Sequence, residues 1–207
     1  MASALVVCLL ATGADQADPA AFDLRLAVDG GLAWFRAQDT APDLLVGDGD
    51  SVAPGDLDWA RSAGTEVQLV STDKDYTDFD LALQVCEERG VGEVTVIGAL
   101  GGRLDQELGM LGALLRHQAL RVTVRSATQF ATALFAGQRY LCEEPVLSFG
   151  LVAAEAAIVS VSGARWPLDS ARLEPLSTVG VSNEPLTGEA PEVSVVSGAA
   201  FFIGQRA

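Results

Sequence analysis

Over the first 126 residues, short apolar runs alternate with stretches whose apolar positions recur at helical spacing. The runs at 4–10, 24–28, 44–46, 66–70, 94–97 and 121–124, rich in leucine and valine, predict strands. The spacing predicts helices over 31–38, 57–63, 78–89 and 104–117. Strand and helix in alternation are the pattern of parallel βαβ units, so this half reads as α/β with a mainly parallel sheet. From about residue 127 the texture changes. Closely spaced runs at 130–135, 139–142, 145–149, 157–161 and 193–196 are separated by Ala136-Gly137, Glu143-Glu144, Ser162-Gly163 and Gly188, with no helical pattern between them. That predicts a second, all-β domain over 127–207, a sandwich or partial barrel, after an α/β domain over 1–126.

The turns that end the early strands are rich in glycine and aspartate. After the second strand comes Asp29-Gly30-Gly31, and after the third Gly47-Asp48-Gly49-Asp50-Ser51. After the fourth comes Ser71-Thr72-Asp73-Lys74-Asp75, and after the fifth Gly98-Ala99-Leu100-Gly101-Gly102. In a parallel sheet these ends lie along one edge, where open α/β sheets bind ligands.

Asp48 and Asp50 would repel each other unless a cation lies between them, and a hard divalent ion takes oxygen ligands of this kind. An acidic turn in a solvated loop is the competing reading. Thr77 fits a helix N-cap with Asp78 and Asp80 in the first turn, which dipole complementation alone would explain. The edge position of Asp78 also lets it complete a three-carboxylate magnesium set with Asp48 and Asp50. In Gly98 to Asp105 the glycines offer backbone amides and Arg103 a guanidinium fork, both suited to phosphate, though the GK[ST] of a Walker loop is missing. Asp105 can pair with Arg103, cap the helix or receive a ribose hydroxyl. Lys74, the only lysine among 13 basic residues, reads either as a surface ion pair or as a ligand contact. His117, the only histidine, reads as a helix-end residue facing water. In the β half, Ser182 and Asn183 form a polar turn, and Trp166 beside another turn offers a stacking surface for a flat heterocycle.

Composition narrows the partners. The 207 residues carry a net charge of -15, and most of the acidity falls in the first 126 residues, 20 acidic against 9 basic. Such a surface argues against nucleic acid and against an anionic membrane. Cys8, Cys86 and Cys142 lack metal-site or disulfide spacing and read as buried thiols in a reducing compartment. The apolar opening lacks a basic n-region and is too short to span a bilayer, so the expectation is a cytoplasmic protein.

Six motifs in register, DGG at 29–31, PDLLVGDGDS at 42–51, DKDYTDFDLAL at 73–83, GALGGRLDQELG at 98–109, GARWPL at 163–168 and VSNE at 181–184, resemble thiamine pyrophosphokinases. The resemblance implies a three-layer α/β/α catalytic, ATP-binding domain followed by a β-sandwich thiamine-binding domain. It also implies a homodimer with active sites between subunits, and transfer of pyrophosphate from ATP to the thiamine hydroxyl with release of AMP. By resemblance Asp48, Asp50 and Asp78 bind Mg2+ and, with Arg103, are catalytic. Asp29, Gly30, Gly31, Thr77, Gly101, Gly102, Arg103 and Asp105 fall to the nucleotide site. Lys74 lies near the substrate, and Ser182 and Asn183 help hold thiamine. Asp78 is also the first candidate to accept the hydroxyl proton. Two positions depart from the family pattern: Gly49, where phenylalanine is usual, and Gln106, where histidine is usual. Phe201 and Phe202 fall where the family tends to place an aromatic that stacks on thiamine. Two rival readings are a diphosphokinase for another heterocyclic alcohol, such as a hydroxymethylpterin, and a non-catalytic thiamine or nucleotide binding module.

Overall fold

The structure, a computed structural model, describes residues 1–12, 15, 17–71 and 75–206. It divides into two compact units, Met1–Ala127 and Thr128–Ala207.

In the first unit the strands are β1 (Ala2–Val7), β2 (Leu24–Val28), β3 (Leu44–Gly47), β4 (Glu66–Leu69), β5 (Val91–Ile97) and β6 (Arg121–Arg125). The helices are α1 (Leu32–Ala37), α2 (Pro54–Ser62), α3 (Asp78–Glu88) and α4 (Leu104–Arg116). The strands run in the order β4-β3-β2-β1-β5-β6, every neighbouring pair parallel. Register places Val6 opposite Leu26 on one side and Val96 on the other. Because side chains alternate across a strand, Leu5, Val7, Ala27, Leu45 and Ile97 share one face, where Leu32, Trp34 and Phe35 of α1 and Ala60 of α2 close a core. Helix α3 packs on β2, β3 and β5 and against α4. Both faces of the inner strands are buried, which is why they read as unbroken apolar runs.

His117 does not face water as expected. Asp80 is 5% exposed in α3, and a carboxylate so buried requires partners. Arg116 pairs with it, and His117 lies between Asp80 (Nε2 to Oδ1, 3.2 Å) and Glu87 (Nδ1 to Oε2, 3.0 Å). The end of α4 is thereby tied to α3. All three cysteines are buried free thiols, and burial pushes Cys8 and Cys86 up to about 12.

The second unit contains β7 (Gln129–Phe135), β8 (Arg139–Leu141), β9 (Ser148–Ala153), β10 (Ala157–Ser162), β11 (Leu168–Leu173), β12 (Glu192–Ser197) and β13 (Ala199–Gln205). Strand β13 runs antiparallel between β7 and β9, and a second antiparallel sheet has the order β11-β10-β12-β8. Inward residues of both sheets form one core, the arrangement of a sandwich. Two of these strands escape the hydrophobic pattern. β11 is mostly exposed, and AAFFIGQ of β13 is buried on both faces, so neither alternates. The strand expected at 145–149 begins instead at Ser148.

Phe202 is fully buried at the centre of this core. Its ring stacks on Phe149 (5.2 Å between centroids) and Phe130 (6.0 Å) and tilts against Tyr140 (5.0 Å). Phe202 is therefore a core residue and presents no surface for stacking. Truncation of Phe202 to alanine should cost about 3–5 kcal/mol in urea unfolding of the second unit; a loss below about 1 kcal/mol would show that this aromatic stack does not support the sandwich.

Candidate active site

Parallel pairing brings the C-terminal ends of β2, β3 and β5 to one edge. Asp29, at the end of β2, adopts a left-handed conformation (φ 47°) in a short 3-10 turn that leads into α1. Its carboxylate folds over the end of β3, so that a Cβ on Gly47 would lie 1.8 Å from Asp29 Oδ1. Only glycine leaves room for the acid there.

The charge at this spot is concentrated. The Asp29 carboxyl is pushed up to about 6, first by burial and then by the neighbouring Asp78 and Asp48, with the amides of Gly49 and Asp48 pulling the other way. Asp29 Oδ1 is buried without a hydrogen-bond partner. A half-buried carboxylate beside two others, one oxygen unsatisfied, suits a hard cation with oxygen ligands.

The structure therefore draws together Asp29, Asp48 and Asp78. Asp50, named with Asp48 and Asp78 from the sequence, is exposed and accepts a hydrogen bond from Ser51 Oγ (2.9 Å), while its own amide donates to Asp48 Oδ1 (3.0 Å). Among the described residues no group of three or more His, Cys, Asp or Glu side chains is placed so that it could hold a metal ion. Thr77 caps α3, its hydroxyl accepting from the Asp80 amide (3.2 Å). Gly49 takes φ 79° with Leu69 in ordinary contact beside it, so a phenylalanine there would be strained by its backbone conformation. Lys74 lies outside the described residues.

The turn after β5 holds a residue that sequence reasoning passed over. The amides of Gly101 and Gly102 both donate to Glu107 Oε1, each at 2.8 Å. The signal was present in the sequence as an acid in the first turn of a helix that comes after two glycines. Arg103 is exposed and forms a two-point pair with Asp105, Nη2 to Oδ2 at 2.6 Å and Nε to Oδ1 at 3.1 Å. That contact holds the Asp105 carboxyl below, and the Arg103 guanidinium above, their usual ranges. Gln106 is exposed, and its amide donates to Asp105 Oδ1 (3.0 Å).

In the second unit Ser182 is exposed at φ 62°, while Asn183 is buried and its side-chain amide is used up by backbone groups. Its Oδ1 accepts from the amides of Trp166 (3.1 Å) and Glu184 (2.9 Å), and its Nδ2 donates to the Trp166 carbonyl (2.7 Å). Asn183 thus fixes the loop that presents Trp166, whose indole is half exposed and carries the Arg165 guanidinium 4.7 Å from its centroid.

An acid-lined parallel sheet edge in one unit and an antiparallel sandwich in the other define a two-unit α/β-plus-β class of protein. The thiamin pyrophosphokinase catalytic domain model matches residues 20–124, and the thiamin pyrophosphokinase vitamin B1 binding domain model matches residues 138–199. The chain belongs to the thiamin pyrophosphokinase family. It is similar to thiamine pyrophosphokinase 1 of Arabidopsis thaliana, 27% identical over 187 residues and covering 77% of this chain and 70% of that one. It is also similar to thiamine pyrophosphokinase of Bacillus subtilis, 25% identical over 166 residues and covering 78% of each. The solved thiamin pyrophosphokinase family protein of Enterococcus faecalis superposes with a TM-score of 0.86 at 21% identity over 100% of both chains. The Bacillus subtilis enzyme structure gives 0.83 at 21% over 99% of both. At that identity the likeness carries the fold.

The raised Asp29 acid has a stability consequence. Its contribution is fully present below about pH 4 and is lost as pH rises through about 6, because ionisation in the folded state is disfavoured. The full shift would correspond to about 3 kcal/mol, which solvent access to this half-buried group reduces to about 1 kcal/mol. Asp29→Asn, which tolerates the left-handed backbone, should raise the melting temperature by about 2–4 °C at pH 7.5 and not at pH 4. Destabilisation at pH 7.5 in thermal scans would contradict this electrostatic picture.

Proposed function

We propose that this chain transfers pyrophosphate from ATP to the hydroxyl of thiamine, releasing AMP. The reading is supported by family membership over both units. The observation that carries it is the convergence of Asp29, Asp48 and Asp78 at one strand edge, with a buried carboxylate oxygen that has no partner. In this reading Asp48, Asp50 and Asp78 hold Mg2+, with Asp50 turning from Ser51, and Asp29 lies beside them on the nucleotide. Held by these carboxylates, Mg2+ would supply positive charge to offset that developing on the phosphate oxygens. The protein's remaining work is positioning: Arg103 leaves Asp105 for a phosphate, and the strand-end turns align the alcohol with the β-phosphorus. Asp78, at the start of α3, accepts the hydroxyl proton. Gly30, Gly31 and Thr77 shape the nucleotide side of the cleft, and the family resemblance assigns Lys74 to the substrate.

The thiamine ring falls to the second unit, where Ser182 and the loop fixed by Asn183 offer polar groups beside the Trp166 indole. A homodimer is part of this reading. It is in keeping with the exposed apolar side chains Leu147, Trp166, Val179, Val181 and Leu186. A cytoplasmic setting accords with the free thiols, and among the described residues no helix is long and apolar enough to cross a membrane.

Release of AMP from ATP and Mg2+ in the presence of thiamine tests the assignment. Turnover with thiamine supports it. Turnover only with another heterocyclic alcohol, or binding without AMP, would replace it. Asp48→Asn should cut turnover at least about 100-fold while leaving the melting temperature within a few degrees of wild type. A near-normal rate would remove Asp48 from the metal site.

A further inference from the structure

We propose that Glu107 occupies the anion seat of the nucleotide turn and competes with nucleotide phosphate for it. The inference rests on the reading of Gly101, Gly102 and Arg103 as part of the nucleotide site.

Two backbone amides converge at 2.8 Å on the single oxygen Oε1 of Glu107. That is the geometry of a seat for one anionic oxygen, and a carboxylate and a phosphate oxygen satisfy it equally. They cannot share it, since the amides are used once and the two groups repel. The guanidinium of the turn is held in the same way: Arg103 is closed by Asp105 in a two-point pair. The two glycine amides and the guanidinium of this turn are thus each engaged by a carboxylate of the chain's own first helical turn. The two occupants differ in hold. The Arg103–Asp105 pair is exposed and exchanges readily with solvent, whereas Glu107 is partly buried and accepts from two amides at the positive end of α4. Glu107 is therefore the stronger competitor. It acts as an internal competitor: it occupies the seat when the site is empty and withdraws when phosphate arrives.

The intact protein with Glu107→Ala and Glu107→Gln provides the test, with thermal unfolding as the folding control. Removal of the competitor should lower the KM for ATP with Mg2+ by about threefold or more. The glutamine, which keeps an acceptor but loses the charge, should fall between alanine and wild type. In 15N-labelled protein the amide resonances of Gly101 and Gly102 should move at lower pyrophosphate concentrations in Glu107→Ala than in wild type. If those resonances respond in both proteins but the alanine variant binds no tighter, or has a raised KM or a depressed kcat, Glu107 only builds the turn and the proposal is overturned alone. If pyrophosphate moves neither resonance in either protein, the proposal falls together with the placement of phosphate on this turn.

Discussion

Three carboxylates held near one another at the end of a parallel sheet are the constraint on which much of the first unit depends. Asp29 can approach Asp48 and Asp78 only because β2 and β3 are neighbours in parallel register and because Gly47 leaves space for its side chain. The result is an acid pushed up to about 6, with one oxygen unsatisfied. Folding tolerates such a site because both faces of the sheet behind it are packed: α1 and α2 close one side, and α3, tied to α4 through Asp80, Arg116 and His117, packs on β2, β3 and β5. The repulsion of like charges is concentrated where a cation would relieve it.

The second unit shows a different division of labour. Its core is built around Phe202 and the rings that surround it, which removes that phenylalanine from any role at a surface. The side chain of Asn183 is likewise committed inward. By bonding to both the amide and the carbonyl of Trp166 it fixes the loop that carries the half-exposed indole.

Much of this was legible in the sequence, for physical reasons. Buried parallel strands leave unbroken apolar runs and their turns leave glycine and aspartate, so the α/β unit and the convergence of its strand ends could be read directly, with Asp48, Asp50 and Asp78 as the acids of that edge and Asp29 assigned there by resemblance. The change from helical spacing to closely set strands near residue 127 was equally plain. Strands without alternation were not: β11 is too exposed and β13 too buried on both faces to show a period of two. Pairings distant in sequence were also hidden. Asp80 with His117 lies 37 residues apart, and nothing local distinguishes it from an acid complementing a helix dipole. Glu107 was missed because glycine amides before a helix look available until the carboxylate that fills them is placed. Asp50 shows the reverse: its spacing with Asp48 is plain, but its side chain is engaged by Ser51.

The proposed function requires that Asp48, Asp50 and Asp78, with Asp29 beside them, hold a divalent cation together with a nucleotide. Electron paramagnetic resonance of Mn2+, substituted for Mg2+ and titrated with a non-hydrolysable ATP analogue, addresses it most directly. The account predicts one bound ion per chain that depends on the nucleotide and disappears in Asp78→Asn. A spectrum of free Mn2+ with the wild-type chain at saturating nucleotide, or equal binding by the variant, would contradict it.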